Sequence, residues 1–83
     1  NPRQQKRDLP TTAFDTPRRE LIRFAASELR RDDCPDAVTA INIVVDGGAQ
    51  AAPGTLGRAM WEYLRDVSER GFGRLRRAVE RAK

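Results

Sequence analysis

The amino-acid sequence predicts a small α+β domain whose elements follow in the order helix, strand, helix, helix. Its 83 residues suffice for one small domain. Apolar residues recur at helical spacing on both sides of the centre, whereas the centre itself, "INIVV", is rich in β-branched residues. A lone strand leaves its backbone edges unpaired, so we expect it to pair in a dimer or with the sheet of a partner.

The N-terminal stretch is predicted to be separate from this domain. "NPRQQKRDLPTT" contains two prolines, several charges and almost no apolar side chains. Such composition cannot bury enough apolar surface to form a core. We therefore expect residues 1–15 to form a flexible basic arm and residues 16–83 to form the domain.

The first helix is predicted to begin at Thr16 and Pro17. Thr16 suits the N-cap position, and proline is tolerated at the first helical position because its missing N–H has no partner there. "DDCPD" is expected to end this helix. One face is apolar, with Leu21, Ile22, Ala25, Ala26 and Leu29.

The predicted strand lies in "AVTAINIVV", residues 37–45. In an extended chain Ile41, Ile43 and Val45 face one side. These three residues are the predicted partner contacts of the strand. The glycines and proline of "DGGAQAAPG" then predict a turn and loop.

Two further helices are predicted after this loop. Thr55 is the expected N-cap of the first, and Gly71 its expected C-cap. The last helix is expected at about residues 73–82. Its apolar stripe comprises Phe72, Leu75, Val79 and Ala82.

Composition argues against an enzyme. The chain has no histidine, which is the commonest general base, and a single cysteine, Cys34. "GGAQAAPGTLGR" lacks the Gly-Lys-Ser/Thr of a phosphate-binding loop. We expect no catalytic residues, no cofactor and no metal site. The sequence shows no apolar run of membrane-spanning length and no apolar core of a signal peptide, so a cytoplasmic or other intracellular protein without a membrane partner is expected.

The distribution of charge is the strongest functional signal. The formal net charge is +4, and residues 70–83 contain six cations against one anion. Arg70, Arg74, Arg77 and Arg81 follow a 4, 3, 4 spacing and therefore lie on one stripe of a helix. Aligned guanidinium groups repel one another, and nucleic-acid phosphates would relieve that repulsion.

Trp61 is the second functional signal. It falls off the apolar stripe of its helix, towards Arg58 and Arg65, and is predicted to be a partner contact. Together with the arginines of the last helix, Arg58 and Arg65 are the candidate nucleic-acid contacts.

Two functions follow. The leading one is a basic nucleic-acid-associated binding protein that uses the arginine-lined C-terminal helix. The alternative is an adaptor or assembly subunit that docks on a larger complex through its strand and N-terminal arm. The same charges are also compatible with a solvated helix face, with an acidic protein or a membrane surface as the partner, and with a genome-wide preference for arginine. A membrane surface is the weaker partner, because the helix has few large apolar anchors.

Two family resemblances involve the predicted strand. "VTAINIVVDGG", preceded by "FAASELRR", resembles the closing helix and strand of short-chain dehydrogenases. It implies no activity, because no glycine-rich dinucleotide turn occurs and Val67 stands four residues after Tyr63, where the family has lysine. The order strand, helix, helix also resembles ribbon-helix-helix regulators, which implies a dimer with paired strands on DNA. The long loop 46–54 and the apolar strand faces depart from that pattern.

Overall fold

The computed structural model describes the backbone of residues 2–83 and the side chains of residues 16–83. Its elements are α1 (Pro2–Leu29), α2 (Ala37–Val45), a short 3-10 helix (Gly48–Gln50), α3 (Leu56–Asp66) and α4 (Glu69–Ala82). No strand occurs within residues 2–83. The predicted α+β class is therefore wrong, and the described chain is all-helical.

The predicted strand is the helix α2, and Asp36 explains why this helix begins. The Asp36 carboxylate accepts a hydrogen bond from the Thr39 backbone N–H at 2.8 Å, which makes it the N-cap. Ala37, Ala40, Ile41 and Val45 are then buried on one face. Unfavourable helix propensity costs less than about 0.7 kcal/mol per β-branched residue, whereas burial of one Ile or Val side chain stabilises by about 1.5–3 kcal/mol. Tertiary burial therefore overrides the local preference for strand.

Both family resemblances depend on the predicted strand, and residues 37–45 form a helix instead. The helical α2 does not match the closing strand of a dehydrogenase, and no ribbon exists within residues 2–83 to pair with a second chain. The expectation that the strand pairs in a dimer or with the sheet of a partner has no basis for the same reason.

The first helix is longer than predicted. Its backbone is helical from Pro2 rather than from Pro17, and it ends at Leu29, ahead of "DDCPD" as expected. The side chains of residues 1–15 lie outside the described residues, so the flexible basic arm stays a prediction.

Of the two caps predicted for α3, the one at its beginning is correct and the one at its end is wrong. Thr55 caps α3 as predicted, since its Oγ1 accepts from the Arg58 N–H at 3.3 Å. Gly71 is not a C-cap: α3 ends at Asp66, Ser68 caps α4, and the Gly71 N–H donates to Ser68 Oγ at 3.0 Å. The helix α4 therefore begins earlier than predicted, at Glu69.

The core lies where the four helices meet along α1. The helix α1 packs against α2, α3 and α4, and α2 also contacts α3 and α4. The largest fully buried side chains are Leu21, Ile41, Leu75 and Val79. Because Leu75 and Val79 attach α4 to this core, the opposite face of α4 is directed to solvent.

Among the described residues, no helix is long and apolar enough to cross a membrane.

Candidate nucleic-acid interface

The helix α4 is amphipathic, and its two faces are clearly separated. Leu75 and Val79 are completely buried, and Phe72 packs on the core from a partly buried position. Ala82, predicted to belong to this apolar stripe, is exposed instead. The buried residues fix the rotation of the helix about its axis and so decide which arginines face outward.

Four arginines of α4 are exposed, as their spacing predicts. We call Arg70, Arg74, Arg77 and Arg81 the α4 arginine stripe. The stripe extends over about 16 Å along the helix axis. Among the described side chains, none of the four has a carboxylate within 4.0 Å. The stripe therefore presents positive charge that acidic side chains of residues 16–83 do not neutralise.

Arg76 lies on the same helix but is in a different situation. It is half-buried, and its Nη1 pairs with Glu80 Oε2 at 3.0 Å. This pair lies one helical turn apart, an arrangement that stabilises a helix modestly. Arg76 is thus a natural comparison for the stripe, because it has the same side chain in the same helix with its charge already paired.

Arg81 has a second, structural role. The partial negative charge at a helix C-terminus attracts cations, and Arg81 lies in the last turn of α4 while Glu69 lies in the first. Loss of Arg81 would therefore disturb the helix as well as the stripe. Substitutions of Arg74 and Arg77, which lie in the middle of the helix, test the stripe without this effect on the helix terminus.

Arg30 contacts the C-terminal end of α4, although nothing in the sequence pattern associates it with that helix. Its Nη2 donates to the backbone oxygen of Ala82 at 3.0 Å, across 52 positions of the chain. The exposed Arg30, which directly follows α1, therefore adds a positive charge at the C-terminal end of α4. The sequence signal is only that Arg30 follows the last residue of a helix, where cations are common.

The predicted contacts on α3 form a compact cluster. The guanidinium carbon of Arg58 lies 5.0 Å from the centroid of the Trp61 ring, and that of Arg65 lies 5.5 Å from it. Both distances are within the range of cation–π attraction. Sequence spacing correctly brings these three residues together.

Arg58 is held far more firmly than Arg65. Its Nε donates to Glu62 at 3.0 Å and its Nη1 to the backbone oxygen of Ala49 at 2.7 Å. The bond to Ala49 attaches α3 to the 3-10 helix. Arg58 therefore has a structural role, whereas Arg65 is exposed and has no carboxylate within 4.0 Å among the described side chains.

The strand residues predicted as partner contacts are placed differently from one another. Ile41 and Val45 are buried in the core, so their side chains are covered by this chain itself. Ile43 is 47% exposed. The shared strand face that grouped the three residues does not exist.

A shallow pocket lies beside Ile43 and is lined by Glu28, Arg31, Asp33 and Cys34. Arg31 lies 3.3 Å from Asp33 and 3.8 Å from Glu28, so its charge is compensated locally. Cys34 is half-buried against the core, and its thiol donates to the Asp36 backbone oxygen at 3.5 Å. Among the described residues no group of three or more potential metal ligands occurs. These contacts assign a packing role to Cys34.

Comparison of the chain with protein-family models, with curated proteins and with solved structures found no match. Function is therefore inferred from the geometry of these residues.

Proposed function

We propose that this protein binds nucleic acid through the phosphate backbone, with the α4 arginine stripe as the main contact. The observation that supports the proposal is the line of four exposed arginines, none of which has an acidic neighbour within 4.0 Å among residues 16–83. Guanidinium groups contact phosphate in a bidentate manner and remain charged at every physiological pH.

The energetics of the helix support an anionic partner. Like charges one turn apart destabilise a helix by a few tenths of a kcal/mol per pair. Arg70 with Arg74, Arg74 with Arg77, and Arg77 with Arg81 all have such spacing. A chain of phosphates along the stripe would offset this repulsion by attracting each guanidinium group, so binding would also stabilise α4.

The recognition mode follows from the residue types. The stripe consists of four arginines along one line of a helix, an arrangement suited to the regularly spaced phosphates of a nucleic-acid backbone. Phosphate contacts position a protein but carry no sequence information. The expected activity is therefore binding with little sequence preference and strong dependence on salt.

The experiment is a titration of labelled oligonucleotides at salt concentrations from about 50 to about 200 mM. Arg74→Gln and Arg77→Gln are each expected to weaken binding on all sequences. Each is also expected to reduce the slope of log K against log salt by about 0.9 on duplex DNA or about 0.7 on a single strand.

Arg76→Gln is the matched control. It removes the same charge from the same helix, but at a residue already paired with Glu80. It is expected to change affinity and salt slope less than Arg74→Gln does. Equal effects of all three substitutions would mean that net charge, and not the stripe, determines binding. Retention of full affinity by both stripe variants would overturn the proposal.

A further inference from the structure

The cluster around Trp61 has features that the stripe on α4 does not explain. Trp61 is the only tryptophan of the chain and is half-buried on α3. Two guanidinium groups lie within 5.5 Å of its ring centroid. Aromatic rings beside arginines are the elements with which single strands are bound, because every base has a face that stacks.

The base of the Trp61 side chain lies against Gly48 of the 3-10 helix. A Cβ atom on the buried Gly48 would collide with Trp61 Cβ and would lie 2.9 Å from the Gly57 backbone oxygen. Only glycine allows the backbone to approach the indole this closely. Gly48 therefore packs tightly against the base of the Trp61 side chain, and the 3-10 helix supports α3 at this position.

The two guanidinium groups differ in what holds them. Arg58 is bound to Glu62 and to Ala49, so it stays in place. Arg65 is exposed, and the Trp61 ring at 5.5 Å is the contact that the structure records for its guanidinium. Arg65 is thus free to leave the ring for a phosphate, whereas Arg58 is not.

The exchange is energetically favourable. A cation–π contact at an exposed site is weaker than stacking of a base on an aromatic side chain. A base that replaces the Arg65 guanidinium on the ring therefore contributes more binding free energy than the loss of the cation–π contact costs. The released guanidinium then gains a phosphate contact.

We infer that Trp61 is a stacking platform for one nucleobase and that the preferred ligand is single-stranded nucleic acid. In a duplex the base faces are occupied by neighbouring bases, so they are not available to Trp61. This inference rests on the proposed function, and it adds a strand preference that phosphate contacts on α4 do not require.

The test uses the fluorescence of the sole tryptophan. The full chain is titrated with an unlabelled single strand of about 16 nucleotides, and with the duplex of the same sequence, at low salt. Saturation with the single strand is expected to quench most of the Trp61 emission. The duplex is expected to quench it little at equal occupancy, with occupancy followed by anisotropy of a labelled strand.

Two variants complete the test. Trp61→Leu is expected to weaken single-strand binding by about 5- to 150-fold, the equivalent of about 1–3 kcal/mol, and to leave duplex binding unchanged. Arg65→Gln is expected to reduce the single-strand salt slope by about 0.7 while the quenching at saturation remains. Circular dichroism of both variants checks that α3 is intact.

The outcomes separate this inference from the proposed function. Equal binding of single strand by Trp61→Leu and the parent, or unquenched emission at saturation, overturns the stacking platform. Loss of affinity in Arg74→Gln and Arg77→Gln under the same conditions would still support the stripe. Absence of binding to either nucleic acid would overturn both.

Discussion

At the scale of single residues, Asp36 shows how one side chain determines the start of an element. Its carboxylate accepts the Thr39 N–H at 2.8 Å, and this hydrogen bond lowers the pKa of Asp36 below its ordinary value. A carboxyl group whose pKa is lower in the folded state stabilises the fold at pH above its unfolded pKa. That contribution is lost as the pH falls through the folded pKa.

The corresponding prediction compares Asp36→Ala with Asp36→Asn by thermal unfolding. At neutral pH Asp36→Ala is expected to lower Tm, because α2 loses its N-cap, and Asp36→Asn to lower it less, because asparagine also caps. As the pH falls below about 4, the parent and Asp36→Asn should converge, since the parent loses its carboxylate. Asp32→Ala, at an exposed position in the preceding turn, is the control. A constant Tm difference between parent and Asp36→Asn down to low pH would contradict the capping role.

Gly48 is the second residue with a specific physical requirement. Its contact with Trp61 and the Gly57 oxygen leaves no space for a methyl group. We expect Gly48→Ala to destabilise the fold by about 1–3 kcal/mol, as overpacking of a closed site does. Gly57→Ala is the matched control, because its Cβ would meet Ala51 Cβ at an ordinary 3.9 Å. It is expected to stabilise α3 by less than about 0.5–1 kcal/mol, the value for the middle of a helix, because Gly57 lies in the first turn. Equal effects of the two substitutions in chemical denaturation would show that the approach of Gly48 to Trp61 is not constrained.

At the scale of elements, α3 and α4 can be predicted from the sequence, whereas α2 cannot. The amphipathic α3 and α4 are predictable because their apolar residues recur at helical spacing and Thr55 is a recognisable cap. In the segment 37–45, the β-branched residues favour a strand. Its apolar positions 37, 40, 41, 44 and 45 nevertheless match helical spacing, and Asp36 is a cap. The two signals conflict, and the strand prediction is wrong because the buried helical face and the cap outweigh the local preference of the β-branched residues.

The helical α2 makes a prediction that a strand would not. In a strand Ile41 and Ile43 share a face and would respond alike, whereas in α2 Ile41 is completely buried and Ile43 is 47% exposed. Ile41→Ala is expected to cost about 2–5 kcal/mol and Ile43→Ala less than about 1 kcal/mol. Urea unfolding of the two variants gives both values directly. Comparable losses at the two positions would contradict the helix.

The site is predictable at this scale only in part. The spacing of the arginines defines the stripe, and the burial of Leu75 and Val79 then confirms that its members face outward. The sequence does not predict that the Arg58 guanidinium is held by hydrogen bonds while that of Arg65 is not. The Ala49 oxygen that holds Arg58 lies outside α3, in the 3-10 helix. The position of Arg30 beside α4 likewise depends on tertiary packing across 52 positions.

At the scale of the whole molecule, a small core supports a strongly charged surface. The buried side chains come from all four helices, but only Leu21, Ile41, Leu75 and Val79 are both large and fully buried. A domain of this length is marginal on its own, because it buries about 60% of the surface of its unfolded chain. Repulsion along the α4 arginine stripe subtracts further from the stability of the free protein.

The last prediction follows from this balance, and thermal unfolding in the presence of a single-stranded oligonucleotide measures it. A ligand at about 100 times its Kd stabilises the folded state by about 2.7 kcal/mol, which raises Tm by about 10–20 °C in a domain of this size. Arg76→Gln is expected to show nearly the same rise, because its charge is already paired with Glu80. The double variant Arg74→Gln/Arg77→Gln is expected to show a smaller rise in Tm at the same ligand concentration, since two phosphate contacts are missing.

The same double variant, without ligand and at low salt, should unfold at a slightly higher temperature than the parent, because the repulsion between neighbouring arginines is reduced. Both changes together identify the stripe as a surface that binds anions at a cost to the free fold, and an identical ligand-induced rise in the parent and the double variant would contradict it.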